Sequence, residues 1–233
     1  MTLKYFILVI CLTQLFMPQA YAQNWREFAN TSRYEKANLE LKLQTKAHNR
    51  VVFMGNSITE NWMAFRPEFF TDRNYINRGI GGQTTSQMLL RFRPDVIDLK
   101  PEVVVILAGT NDLAGNTGYT SEETIIGNIK SMAELAHTNG IKVVISSILP
   151  AIEYLWRPGL EPAPKIISIN TALKTYTQEN NFIYLDYFSA MADDKGGLKV
   201  PDYTTANDLV HPNLAGYLVM EKLVEKAIKK AFQ

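Results

Sequence analysis

Glu102-Val103-Val104-Val105-Ile106-Leu107-Ala108-Gly109 is the stretch on which the fold turns. A strand with one wet face alternates apolar and polar residues. This run does not alternate, and it stops on a glycine, which is the pattern of a strand buried on both faces. Such strands belong to parallel sheets covered by helices on both sides. Outward from it, residues 50–55 form another apolar run ending in Gly55, and residues 74–78 are read as a further strand before Gly79. Residues 141–148 and 182–185 complete a set of five expected strands.

Helical patterns lie between these runs. Residues 25–47 read as one amphipathic helix. Thr120 opens another with a T-x-x-E capping box to Glu123, and Asn139-Gly140 closes it. Residues 166–178 and 214–232 follow, the last with an apolar stripe through Tyr217, Met220, Val224, Ile228 and Ala231. Strands alternating with helices predict a three-layer α/β/α sandwich around a five-stranded parallel sheet. Function in such sheets gathers at the carboxyl ends of the strands.

Composition narrows the function. The chain has 233 residues, 24 Lys and Arg against 23 Asp and Glu, and a formal charge of +1. That balance, without a basic run, argues against a nucleic-acid partner. Its 46% hydrophobic content suffices for one large core. The N-terminus reads as a cleaved signal peptide over residues 1–22: Lys4, an apolar run over residues 5–16 too short to span a bilayer, then Ala20-Tyr21-Ala22. A single domain over residues 23–233 remains, exported to the periplasm or medium, with no stable membrane anchor. Cys11 is the only cysteine, and cleavage removes it, so neither a disulfide nor a thiol nucleophile is expected.

Four short motifs stand at or beyond strand ends: Gly55-Asn56-Ser57-Ile58-Thr59, Asn77-Arg78-Gly79-Ile80-Gly81-Gly82-Gln83, Gly109-Thr110-Asn111-Asp112, and Asp208-Leu209-Val210-His211-Pro212. Each has an ordinary reading alone. Ser57 with Glu60 is also a helix capping box, and Asp208 is also a loop cap. His48 and His137 read as solvated or structural. Together the motifs supply one chemistry. A serine nucleophile needs a base, and the base needs a group that fixes its tautomer. Ser57, His211 and Asp208 fill these places. An oxyanion needs donors, and the N–H groups of Ser57 and Gly82 with the Asn111 side-chain amide supply them.

This ordered set resembles the four blocks of the SGNH, or GDSL-like, hydrolases, whose Ser, Gly, Asn and His match Ser57, Gly82, Asn111 and His211. The likeness runs from about residue 51 to the last helix. Its wording is most similar to bacterial acylhydrolases akin to platelet-activating-factor acetylhydrolase subunits and to carbohydrate acetylesterases. The resemblance implies a flavodoxin-like fold and ester hydrolysis without a metal or other cofactor. Asn56 departs from the family's usual Asp. It can brace the turn but brings no charge, so it stands outside the triad.

Other readings are weaker. Thr84 stands where a dinucleotide fingerprint needs its third glycine, and no lysine follows the glycines as in a phosphate-binding loop. No paired histidine or cysteine motif offers a metal site, and Asp112 reads as support for the Asn111 loop. Residues 150–164 form a long proline-rich loop after the fourth strand, and Tyr154, Trp156 and Arg157 are its expected substrate contacts, the aromatics for a sugar face and the arginine for its oxygens. The reading is therefore an esterase for short acyl groups, chiefly acetyl groups on carbohydrate. A lysophospholipase or thioesterase with a longer acyl pocket, and a passive glycan binder on the same fold, remain as alternatives.

Overall fold

The computed structural model describes residues 24–43 and 48–233. The expected signal peptide over residues 1–22 lies outside them. Five parallel strands form one sheet: β1 (Val51–Gly55), β2 (Tyr75–Gly79), β3 (Val103–Leu107), β4 (Lys142–Ser146) and β5 (Ile183–Leu185), in the order β2-β1-β3-β4-β5. This is the flavodoxin-like order, in which the chain leaves β1 for one edge and then crosses back to β3. The reversal opens a crevice between the carboxyl ends of β1 and β3.

Alternation along each strand divides the core in two. Val52, Met54, Val104, Ile106, Val143 and Ile145 face one side. There they meet α5 (Thr85–Asp95), α7 (Glu122–Thr138) and α8 (Pro162–Glu179) through Met88, Phe92, Ile129, Ile166 and Leu173. Val51, Phe53, Val103, Val105, Val144 and Leu185 face the other. They meet α3 (Ser57–Phe65), α4 (Pro67–Thr71), α9 (Phe188–Met191) and α10 (Leu214–Phe232). An aromatic nest seals this second side: Trp62 stacks on Phe69 with centroids 5.0 Å apart, and Phe53 meets both edge-on at 5.8 Å. Both faces of β1 and β3 are buried, as their unalternated sequence requires.

The structure corrects the expected elements in four places, one of them α8, which begins at Pro162 rather than residue 166 and so ends the loop expected over residues 150–164 at Glu161. The single helix expected over residues 25–47 is two, α1 (Trp25–Phe28) and α2 (Glu35–Leu43), with residues 44–47 outside the described set. Between them Asn30 takes a left-handed φ of 51°, which no helix interior accommodates. The cap expected at Thr120 falls on Ser121, whose hydroxyl accepts from the Thr124 N–H at 3.2 Å. Helix α5 was not anticipated, because Arg91 and Asp95 occupy its buried face and Pro94 its last turn.

Candidate active site

Ser57 opens α3 immediately after β1. The cap of this helix is Asn56, whose side-chain oxygen accepts from the Ile58 N–H at 3.1 Å. The capping role that competed for Ser57 is therefore taken by its neighbour, and the Ser57 hydroxyl is left for other work. It meets His211 Nε2 at 2.9 Å. The turn is tight enough to demand glycine: a Cβ on Gly55 would lie 2.0 Å from Thr59 Oγ1, and one on Gly79 of neighbouring β2 would lie 2.2 Å from the Glu60 backbone nitrogen. These two contacts draw α3 against the ends of both strands.

His211 comes from the loop before α10. Its Nδ1 lies 2.9 and 3.0 Å from the two Asp208 oxygens. The same carboxylate accepts from the backbone N–H groups of Val210 and His211 at 3.1 and 2.9 Å, closing a turn in which Leu209 is left-handed. Burial alone would raise the Asp208 carboxyl. The His211 N–H, the nearby imidazole and the Val210 N–H outweigh that and hold it below the usual carboxylate range. An ionised Asp208 accepts from Nδ1–H, which leaves the Nε2 lone pair facing the serine. Thr204 Oγ1 donates to the His211 carbonyl at 2.8 Å and fixes the loop from behind.

The three groups expected to serve as oxyanion donors come from the carboxyl ends of β1, β2 and β3. Among the described residues, the Ser57 and Gly82 amides donate to no protein acceptor. Gly82 sits at φ 74°, a conformation glycine adopts without strain. A Cβ on adjacent Gly81 would lie 3.9 Å from Ser57 Cβ, so this loop borders the serine. Asn111 stands in α6 (Thr110–Leu113) after β3 and is buried. One of its amide hydrogens goes to the Gln83 carbonyl at 2.9 Å, and an amide carries two.

Four residues hold these groups in place: Glu60, which the sequence offered only as a capping-box partner, and Asn116, Gln83 and Thr85, to which it assigned no role. Glu60 accepts from the Gly81 N–H at 2.7 Å, and Asn116 donates to the Gly82 carbonyl at 3.0 Å. Gln83 accepts from Asn111 through its backbone and anchors its own side chain on the Ala29 carbonyl at 2.8 Å. Thr85 gives both its N–H and its hydroxyl to Asp112, at 2.9–3.0 and 2.6 Å. The expected supporting role of Asp112 is thus seen as a tie between the second and third motifs. Burial pushes the Asp112 carboxyl up to about 6, against the Thr85 hydrogen bonds that lower it.

Beneath the site lies a buried ionic cluster. Arg91, fully buried, donates to the carbonyls of Gly55 and Arg78, each at 3.0 Å, and pairs with Asp95 at 2.9 Å. Arg78 reaches Asn38 of α2 through two hydrogen bonds at 2.8 and 3.0 Å, and Asn38 in turn donates to Asp95 at 2.7 Å. Burial lowers Arg78 to about 10.

The expected substrate loop divides. Tyr154 is fully buried and offers no face to a ligand, a correction with a packing cause: its side chain is part of the hydrophobic core on the side of the sheet that α5, α7 and α8 cover. Trp156, half exposed, lies against it with centroids 5.1 Å apart. Arg157 is exposed, and its guanidinium approaches Gly115. Among the described residues, no group of His, Cys, Asp and Glu is arranged to hold a metal ion.

A parallel sheet carrying a serine, an imidazole and a carboxylate in line at its carboxyl edge defines a hydrolase of the acyl-transfer type. The chain belongs to the GDSL-like lipase/acylhydrolase family, whose pattern matches residues 53–219. A GDSL-like lipase from Bacteroides thetaiotaomicron of known structure is 49% identical, covering 88% of this chain and 99% of that one, with a TM-score of 0.83. The platelet-activating factor acetylhydrolase IB subunit alpha2 of Rattus norvegicus is 27% identical over 78% of this chain and 77% of its own. A lipoprotein of Bacillus subtilis is 40% identical over 81 residues, 34% of this chain and only 33% of that protein.

Proposed function

We propose that this acylhydrolase is a serine esterase that removes short acyl groups, chiefly acetyl, from carbohydrate, working outside the cytoplasm. The observation that carries the reading is the unbroken line from Ser57 Oγ to His211 Nε2 at 2.9 Å and from Nδ1 to Asp208 at 2.9–3.0 Å. In the proposed cycle Ser57 Oγ attacks the ester carbonyl carbon as His211 Nε2 takes its proton. The carbonyl oxygen becomes an oxyanion held by the N–H groups of Ser57 and Gly82 and the second amide hydrogen of Asn111. The imidazolium, balanced by Asp208, gives its proton to the leaving alcohol. Water then attacks the acyl-enzyme with the same base, releasing the acid and restoring Ser57.

Acetyl preference is supported by the acetylhydrolase name of the rat relative. Export is supported by the leader-like residues 1–22 and by the lipoprotein relative. No helix among the described residues is long and apolar enough to cross a membrane. Trp156 and Arg157 remain the proposed substrate contacts on the loop before α8. The test compares p-nitrophenyl acetate, butyrate and octanoate, then acetate release from acetylated xylan and pectin. Highest kcat/KM on acetate with acetate freed from a polysaccharide is expected. Octanoate preference with none freed would favour the lysophospholipase or thioesterase reading.

A further inference from the structure

A cavity of about 270 Å³ lies beside the donor loop, between the segment after α6, the start of α7 and the start of α8. Its lining includes Gly115, Tyr119, Glu122, Arg157 and Lys165. Gly115 precedes Asn116, which holds the Gly82 carbonyl at 3.0 Å, and the Asn116 N–H donates to the Asn111 carbonyl at 3.0 Å. One short segment therefore walls the cavity on one side and braces two proposed oxyanion donors on the other.

Apart from Asp112, which Thr85 holds, the charged and aromatic heads around this cavity have no internal occupation. Among the described residues, the side chains of Arg157, Lys165, Glu122 and Tyr119 make no hydrogen bond or ion pair within the chain. Tyr119 is 93% exposed, which leaves a whole aromatic ring in solvent at the mouth of a concave site. Two cations, two carboxylates (Glu122 and the Thr85-bound Asp112) and one free ring within one small cavity match a compact ligand that has an acidic group, several hydroxyls and a flat carbon face. The volume is just under the range of roughly 300–1,000 Å³ usual for small-molecule sites, so it suits a single ring.

We propose that this cavity is a subsite for a uronic acid unit in the alcohol part of the substrate. Arg157 and Lys165 receive the sugar carboxylate, Arg157 through the two-pronged geometry that a planar carboxylate accepts. Glu122 accepts from ring hydroxyls, and Tyr119 lies against the ring. This deepens the carbohydrate-esterase reading and rests on it for its biological meaning, although the binding itself does not require turnover.

The test uses unacetylated oligosaccharides, so it is independent of catalysis. The intact mature protein is titrated calorimetrically with trigalacturonate, with neutral xylotriose and with inorganic phosphate, at low and moderate salt. Trigalacturonate should bind at least tenfold more tightly than xylotriose, and added salt should weaken it. Arg157→Gln and Lys165→Gln should each reduce that affinity about fivefold or more, with unchanged circular dichroism and melting temperature. Equal affinity for the two trisaccharides, binding of phosphate alone, or no effect of either substitution would overturn the subsite. Failure of the esterase reading shows separately, as no hydrolysis of p-nitrophenyl acetate by the unmodified protein.

Discussion

Asn56 and Ser57 divide between them two tasks that the sequence could place on one residue. The bland reading of Ser57 as a helix cap fails only because Asn56 supplies the capping oxygen. That division frees the serine, and Ser57→Ala is expected to abolish ester hydrolysis while preserving the fold. An organophosphonate should label Ser57 in the unmodified protein, and mass spectrometry locating the adduct on another serine would remove it from the role. Asn111→Ala should lower kcat by about 100- to 1,000-fold, the usual cost of one oxyanion donor. A loss below about threefold would reduce Asn111 to a brace for the Gln83 loop.

Asp112 makes a residue-scale prediction about pH. Its carboxyl is pushed up to about 6 by burial, so the folded protein holds this proton more tightly than the unfolded chain. The stabilising contribution of the neutral form is full below the ordinary carboxylate value. It is lost as pH rises toward 6, and little changes above that. The loss amounts to roughly 3 kcal/mol, at about 1.4 kcal/mol per pKa unit. Denaturant titrations of the protein and of Asp112→Asn across pH 4 to 7 should show the difference shifting in the variant's favour by that order. A flat difference would mean that Asp112 is ionised throughout.

At the scale of elements, the strands were the most legible part of the sequence. Runs such as Val103 to Leu107 carry their burial on both faces in their composition, and all five strands lie where such runs predict. The last helix is legible for the same reason, since its stripe faces one side of one sheet. Helix α5 was hidden because polar residues interrupt its inner face: beside Met88 and Phe92, Arg91 and Asp95 are buried there by pairing with each other, a solution visible only in three dimensions. The break at Asn30 and the supports Glu60, Asn116 and Thr85 were hidden likewise, as each acts on a residue distant in the chain or through a backbone angle. The residues proposed as triad and donors could be picked out because four short motifs carry them, and the structure brings Ser57, His211 and Asp208 into one hydrogen-bonded line. Tyr154 was misplaced because an aromatic in a loop reads the same whether it faces ligand or core.

Arg91 ties together the ends of β1 and β2, the segment at Gln83 and Asp95. Arg91→Met should therefore destabilise the protein by about 3–5 kcal/mol, chiefly because it leaves Asp95 buried without its cation. Urea denaturation of Arg91→Met beside the double variant Arg91→Met, Asp95→Leu measures this. The double variant should recover a substantial part of the loss, and no recovery would locate the cost in the freed strand-end carbonyls instead.

For the whole molecule, the site is spread over the sheet rather than held in one unit. Its serine follows the first strand, its donors follow the second and third, and its imidazole precedes the last helix. Chemistry of this kind draws its charge balance entirely from side chains and backbone. Hydrolysis of p-nitrophenyl acetate should accordingly withstand exhaustive EDTA dialysis. Loss of activity that a divalent ion restores would point to a metal-dependent mechanism.

The contact between Ser57 and His211 spans 154 positions along the chain, and α10 is also where Tyr217 reaches back to the Ile58 carbonyl at 2.9 Å. A growing or partly threaded polypeptide thus holds its serine without its base. On the proposed mechanism the molecule stays chemically silent until its final helix seats itself against α3, so completion of the fold itself switches the hydrolase on.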